Sequence, residues 1–241
     1  MGRYREPLDW LTRRPIAHRG YHDMNREVWE NTLSAFDRAI ERNFAIECDL
    51  HLASDGAPMV FHDEDLGRLC GLPGDISELT SAELALKRVG GTSDSIPSLK
   101  KMLAHVAGRV PLLIELKGRT DNDVDFAAAV LEELEGYAGR VALMSFDQRL
   151  LRDLIQLRCP YPVGLTAEGA KPETFFIHED GMSLGLDFIS YGIEHLPNPF
   201  VEGLRKQGVP VLCWTVRTPH MRQRAAETCD QMTFEGFDPD A

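Results

Sequence analysis

Residues 44–63 read FAIECDLHLASDGAPMVFHD, and the strand count of the whole chain turns on them. Two apolar-rich runs, 44–52 and 58–61, flank Ala53-Ser54-Asp55-Gly56. Asp-Gly between two such runs is a tight-turn signal. A tight turn joins antiparallel neighbours, whereas successive parallel strands need a crossover of about a dozen residues or more. The 58–61 run is therefore expected as a hairpin arm beside the 44–52 strand. Within 44–52, side chains alternate between faces. Ile46, Cys48 and Leu50 fall on one face, Glu47 and Asp49 on the other. If the apolar set packs against helices, the two acids point inward.

Eight further β-rich runs lie outside this hairpin arm or contain its partner: 15–19, 44–52, 110–117, 141–146, 161–166, 186–191, 209–216 and 231–235. Helical patterns separate most of them, at 32–42, 98–107, 121–136, 147–158, 199–207 and 219–227, with Thr32, Ser98, Asp147 and Thr218 as capping residues. Alternating strand and helix with eight staves predicts an α/β fold, a (β/α)8 TIM barrel, which typically takes roughly 250 residues. The 241 residues then form one domain, 1–241. The stretch 53–96 is one long connection after the second barrel strand. Connections of that length are usually functional, and this one is expected to be a small insertion over the barrel mouth.

Composition narrows the function. Hydrophobic residues make up 43% and charged residues 27%, as in a soluble globular protein. A net charge of −12 argues against nucleic acid, whose phosphates call for a basic footprint. An anionic substrate would need a local cationic patch or a metal. The five cysteines include no CxxC pair, which disfavours thiolate zinc and a disulfide framework. No apolar run approaches the ~18 residues of a membrane span. MGRYREPLDW lacks a secretory core, and Glu6 stands where a myristoylation motif wants Ser or Thr. The reading is cytoplasmic, with no stable membrane anchor and helix-clad surfaces that could serve a homodimer.

Barrel active sites lie at the C-terminal ends of the strands. There the sequence puts His18-Arg19-Gly20, the Glu47/Asp49 pair, Glu115 with Lys117, and Trp214, while His62-Asp63 follows the hairpin arm. Three carboxylates at one mouth repel unless protonated or bound to metal. Oxygen-only ligation suits Mg²⁺ or Ca²⁺, with Mn²⁺ also admissible, better than zinc. Arg19 and Lys117 offer fixed positive charge for a phosphoryl group, and two histidines suit proton transfer near neutral pH. Taken alone, Glu115 and Lys117 also read as a structural ion pair, and Trp214 reads equally as core.

The ordered set His18-Arg19-Gly20, Glu30-Asn31-Thr32, Glu47-x-Asp49, Asp55-Gly56, His62-Asp63, Ile96-Pro97-Ser98-Leu99, Glu115-Leu116-Lys117, Ser145-Phe146 and Trp214-Thr215-Val216 resembles the glycerophosphodiester phosphodiesterase family across nearly the whole chain. The resemblance implies a divalent metal on Glu47, Asp49 and Glu115, with His18 and His62 as general acid and base. Arg19 and Lys117 would hold the phosphate, and Trp214 would pack on the glycerol. Glu30 would buttress the His18-Arg19 loop, and Asn31 is expected to cap helix 32–42. The implied reaction hydrolyses a glycerophosphodiester, a small molecule, to glycerol phosphate and an alcohol through a cyclic phosphate. The rivals are a lysophospholipase D-type or other phospholipid phosphodiesterase on the same scaffold, and a non-catalytic ligand-binding barrel. Two segments depart from the family pattern: 21–29 (YHDMNREVW), and FEGFDPDA at 234–241. Both are expected to border the pocket and to bear on substrate choice. The other histidines, including His22, His105 and His178, are assigned surface or ordinary structural roles, except that His51 shares the acids' face.

Overall fold

The computed structural model describes residues 7–119, 123 and 125–241. The N-terminal MGRYRE reading and part of the start of the 121–136 helix lie outside the described residues. Among the described residues the nine strands are β1 (Ile16–Ala17), β2 (Ala45–Leu52), β3 (Pro58–Val60), β4 (Leu112–Leu116), β5 (Val141–Ser145), β6 (Val163–Ala167), β7 (Phe188–Gly192), β8 (Val211–Val216) and β9 (Gln231–Phe234). Eight of them pair in parallel around a closed ring, β1-β2-β4-β5-β6-β7-β8-β9, and β9 returns to β1. The ninth, β3, lies outside the ring, antiparallel to β2, with Leu50 opposite Val60 and Leu52 opposite Pro58. The fold is the TIM barrel, and the Asp55-Gly56 turn is where the hairpin arm leaves it. Gly56 takes a φ of 79° there, a backbone state glycine adopts without steric cost.

Among the described residues, ten α-helices accompany the strands. They are α1 (Asp9–Thr12), α2 (Leu33–Glu41), α3 (Gly67–Cys70), α4 (Ser81–Leu84), α5 (Leu99–Val106), α6 (Phe126–Glu133), α7 (Gln148–Gln156), α8 (Pro172–Met182), α9 (Pro199–Lys206) and α10 (Pro219–Thr228). Thr32, Ser98, Asp147 and Thr218 each accept a backbone N–H of the first turn. Helix α8 has no counterpart in the sequence pattern. Its apolar residues Phe175, Phe176 and Ile177 are consecutive, and Phe176 and Ile177 stay exposed, so no stripe of period 3.6 marks it.

Alternation on the strands sorts the core into two layers. Ile46, Cys48, Leu50, Leu112, Ile114 and Leu116 pack outward against the helices in the large apolar cluster. Ile16, Ala45, Leu113, Ala142, Phe188 and Leu212 fill the barrel interior. Glu47, Asp49 and Glu115 share the inward face with Ala45 and Leu113, one or two layers nearer the C-terminal mouth. Residues 53–96 contribute nearly all of a separate cluster around Met59, Phe61, Leu66, Leu69, Ile76 and Leu84, against which Trp29 packs.

Gly20 ends the turn after β1 with a φ of 83°, and a Cβ there would stand 2.8 Å from the Ala35 Cβ. Gly20→Ala should therefore lose about 2–5 kcal/mol of stability, from backbone strain and overpacking together. Urea unfolding checks this, and an unchanged midpoint would contradict the packing described.

Candidate active site

Strand ends fix the site. The backbone N–H of His18 donates to Phe234 O of β9 at 2.9 Å, Lys117 N–H to Leu50 O at 3.0 Å, and Glu235 N–H to Val216 O at 3.1 Å. These three bonds bring residues from the two ends of the chain to one rim. Asp49 and Glu115 are direct neighbours in the β2–β4 register. Carboxylate oxygens of Glu47, Asp49 and Glu115 lie within 4.8 Å of one another, all buried.

Charge in this cluster is tightly accounted for. Lys117 Nζ lies 3.0 Å from Asp49 Oδ1 and 2.5 Å from Glu115 Oε1. Arg19 Nε lies 3.2 Å from Asp49 Oδ2, and the Arg19 backbone N–H donates to Glu47 Oε2 at 2.9 Å. Asn31 Nδ2 donates to Asp49 Oδ2 at 2.9 Å. Asn31 is thus a partner of Asp49, and the cap of α2 is Thr32 instead, because Thr32 takes the extended backbone a cap requires while Asn31 sits at a φ of 55°. Burial alone would push Asp49 up, but Lys117 and Arg19 outweigh it and hold its carboxyl well below the usual range. Glu47 goes the other way: burial, then repulsion from Asp49 and Glu115, pushes it well above. Burial also raises Glu115, against the pull of Lys117. Two fixed cations do not neutralise three buried carboxylates, and burial with mutual repulsion raises Glu47 and Glu115. An all-oxygen donor set one or more charges short of neutrality fits a hard divalent cation.

Both histidines carry a carboxylate on the same ring atom. His18 Nδ1–H donates to Glu235 Oε2 at 2.5 Å, leaving Nε2 4.0 Å from Glu47 Oε2. His62 Nδ1–H donates to Asp63 Oδ1 at 2.7 Å. A carboxylate on Nδ1 fixes the tautomer and leaves Nε2 as the atom free for proton transfer. Burial lowers the pKa of His18, despite the Glu235 hydrogen bond, and likewise lowers that of His62. Arg217 Nε donates to Glu235 Oε1 at 2.6 Å, and His22 Nε2 lies 3.6 Å from Glu235 Oε2. His51 Nε2–H holds the His62 carbonyl at 2.9 Å. His22 and His51 are both buried, so neither is a surface residue.

A cavity of about 180 Å³ opens over these groups, lined by His18, Arg19, Glu47, His62, Glu115, Lys117, Trp214 and Arg217 among others. Trp214 stands edge-on to Phe146 with ring centroids 5.4 Å apart, forming an apolar wall rather than core. Glu30 accepts from Arg19 Nη1 at 2.6 Å, as a buttress should. None of the described residues lining this cavity comes from 21–29. That loop folds back on itself and braces Glu30 through Asn25, whose Nδ2 donates at 2.5 Å. The FEGFDPDA segment does reach the site, but through Glu235 on His18. A larger cavity of about 520 Å³ lies at the N-terminal ends of the strands. Two of its acids are committed to structure: Asp187 accepts from Val163 N–H and Asp230 from Val211 N–H.

A model of the glycerophosphoryl diester phosphodiesterase family matches residues 18–238. The chain belongs to that family. As a member it is a phosphodiesterase. The glycerophosphodiester phosphodiesterase of Caldanaerobacter subterraneus is 28% identical over 211 residues, 83% of this chain and 84% of that one. Among solved structures, the Thermotoga maritima glycerophosphodiester phosphodiesterase is 26% identical with a TM-score of 0.74, covering 92% of this chain and 94% of that one. An Oleispira antarctica phosphodiesterase, solved with its product sn-glycerol-3-phosphate, superposes with a TM-score of 0.82 at 22% identity over 92% of each chain. Among the described residues of this phosphodiesterase, no helix is long and apolar enough to cross a membrane.

Glu30 generates a pH prediction. Burial opposes its ionisation, but hydrogen bonds from Arg68 and the charge of Arg19 lower its pKa from 4.5 to about 2. A depressed carboxyl stabilises the fold above its unfolded pKa and loses that contribution as pH falls towards the folded one. A shift of this size corresponds to roughly 3 kcal/mol. Glu30→Gln should fall short of the parent by that order near pH 7 in urea unfolding, with the gap closing as pH drops from about 4.5 towards 2. A gap independent of pH would contradict it.

Proposed function

We propose that the chain hydrolyses water-soluble glycerophosphodiesters to glycerol 3-phosphate and an alcohol. The observation that carries this reading is the convergence, in one cavity, of an underneutralised carboxylate triad with two histidines each held by a carboxylate at Nδ1. Glu47, Asp49 and Glu115 would hold a divalent cation, Mg²⁺ or Ca²⁺ with Mn²⁺ admissible, on the chemistry of their oxygens. When bound, that cation would withdraw charge from the phosphoryl oxygens and offset the −12 field.

The chain's own residues account for proton movement. One histidine Nε2 takes the proton of the glycerol hydroxyl neighbouring the diester. That oxygen bonds to phosphorus, the bond to the leaving alcohol breaks, and the second histidine gives the alcohol oxygen its proton. A cyclic phosphate results. In the second half the roles reverse: water gives up a proton to the second histidine, adds to phosphorus and opens the ring, and the first histidine returns its proton to the glycerol oxygen. Arg19 and Lys117 lie on the cavity wall where the phosphoryl oxygens would sit, and Trp214 with Phe146 would face the glycerol carbons. Residues 53–96 form an accessory part of the one catalytic unit, 1–241.

The rim favours a soluble diester over a lipid. Of the large apolar side chains exposed among the described residues, Phe146 alone lines this cavity, whereas a site that accepts an acyl chain needs a continuous apolar patch.

Release of glycerol 3-phosphate from glycerophosphodiesters differing in head group tests the reading, with EDTA and then with Mg²⁺, Ca²⁺ or Mn²⁺ restored. Metal-dependent release is expected, and its absence with every metal from folded protein would refute it. His18→Ala and His62→Ala should each lower kcat by about 10²-fold or more. Near-parental kcat in either variant would remove that histidine from the mechanism.

A further inference from the structure

Arg68 lies in α3, within residues 53–96, and carries four side-chain hydrogen bonds to two carboxylates. Nε donates to Asp63 Oδ2 at 2.7 Å and Nη2 to Asp63 Oδ1 at 2.7 Å. Nη1 donates to Glu30 Oε2 at 2.9 Å and Nη2 to Glu30 Oε1 at 2.8 Å. Each acceptor serves the active site in turn. Asp63 Oδ1 takes the Nδ1–H of His62 at 2.7 Å, and Glu30 Oε1 takes Arg19 Nη1 at 2.6 Å. One planar guanidinium therefore links a histidine that follows the hairpin arm to an arginine that follows β1. Leu66 and Leu69, both buried in the separate apolar cluster, anchor the short helix from which Arg68 projects. Asp63 and Arg68 belong to the same segment, but Glu30 and Arg19 do not, so the bridge crosses from the 53–96 segment to the barrel.

We propose that Arg68 is a positioning residue through which the 53–96 segment sets the orientation of both His62 and Arg19. The proposal rests on the roles given to those two residues above. Only a guanidinium can do this: its donors lie in one rigid plane and reach two carboxylates bidentately, whereas a lysine presents a single point of charge. Burial of Glu30, 4% exposed as a side chain, shields half of the bridge from solvent. A second link between the same two parts provides the control. Arg119 Nη1 and Nη2 hold Asp75 at 2.6 and 2.9 Å and touch neither His62 nor Arg19.

The test compares Arg68→Ala and Arg68→Lys with Arg119→Gln. Misplacement of a catalytic group by about 1 Å can cost as much as 10²-fold in rate, so kcat should fall about tenfold to a hundredfold in both Arg68 variants. Guanidinium ion at a non-denaturing concentration should restore part of the loss in Arg68→Ala. Arg119→Gln should keep near-parental kcat and should not respond to guanidinium. Parental kcat in Arg68→Ala, or an equal loss in Arg119→Gln, would overturn the proposal, the latter because segment docking alone would then account for the effect. A readout that needs no turnover separates this from failure of the functional reading. In protein with isotope-labelled histidine, the His62 Nδ1–H resonance, assigned by its loss in His62→Gln, should shift or broaden in Arg68→Ala and stay in place in Arg119→Gln. An unmoved resonance in Arg68→Ala overturns the proposal even if the parent is inactive, whereas an inactive parent with a shifted resonance counts against the functional reading alone.

Discussion

Mutual repulsion of Glu47, Asp49 and Glu115 is the constraint from which the rest of the site follows. Three carboxylates inside a barrel are costly unless each is paired. The fold pairs them with what lies within reach: Lys117 two residues along β4's path, Arg19 at the end of β1, and Asn31 at the start of α2. Even so, Glu47 and Glu115 are pushed upward by burial and by their neighbours. Retaining this arrangement makes physical sense for a site that gains a cation, because the same repulsion then becomes affinity.

The neutralising cations need support of their own, and this explains the surrounding ion network. Arg19 is steadied by Glu30, and Glu30 by Arg68 and Asn25. On the opposite rim, Glu235 accepts from both His18 and Arg217. The two histidines reach the cavity from unrelated parts of the chain, one after a barrel strand and one after the outlying hairpin. Each is oriented through Nδ1 by a carboxylate. That shared device, rather than a shared backbone motif, makes them a pair.

How much of this was legible in the sequence depends on how far apart the partners are. The Asp55-Gly56 turn and the period-two pattern of 44–52 are local, and together they give the eight-stave barrel and the inward face of the acids. The four predicted caps are local as well. Helix α8 was missed because its apolar residues run together instead of repeating along one face. Glu235 could not be matched with His18 from the sequence, since the two are separated by 217 positions and only ring closure between β9 and β1 makes them neighbours. The signal was nevertheless present: an acid immediately after the last strand, where the segment departs from the family pattern. Asn31 was misread because a polar residue beside a helix start suggests a cap, while its left-handed backbone turns the side chain toward Asp49. The loop 21–29 was expected at the pocket; it lines none of the cavity, but His22 stands 3.6 Å from Glu235 and Asn25 braces Glu30.

Cation binding by the carboxylate triad is the claim to test most directly. Calorimetric titration of Mg²⁺ and of Ca²⁺ into EDTA-stripped protein should show saturable binding at a single site, weakened by about tenfold or more in Glu47→Gln. Absence of saturable binding in the parent, or the same affinity in Glu47→Gln, would contradict the account of the triad as a cation site.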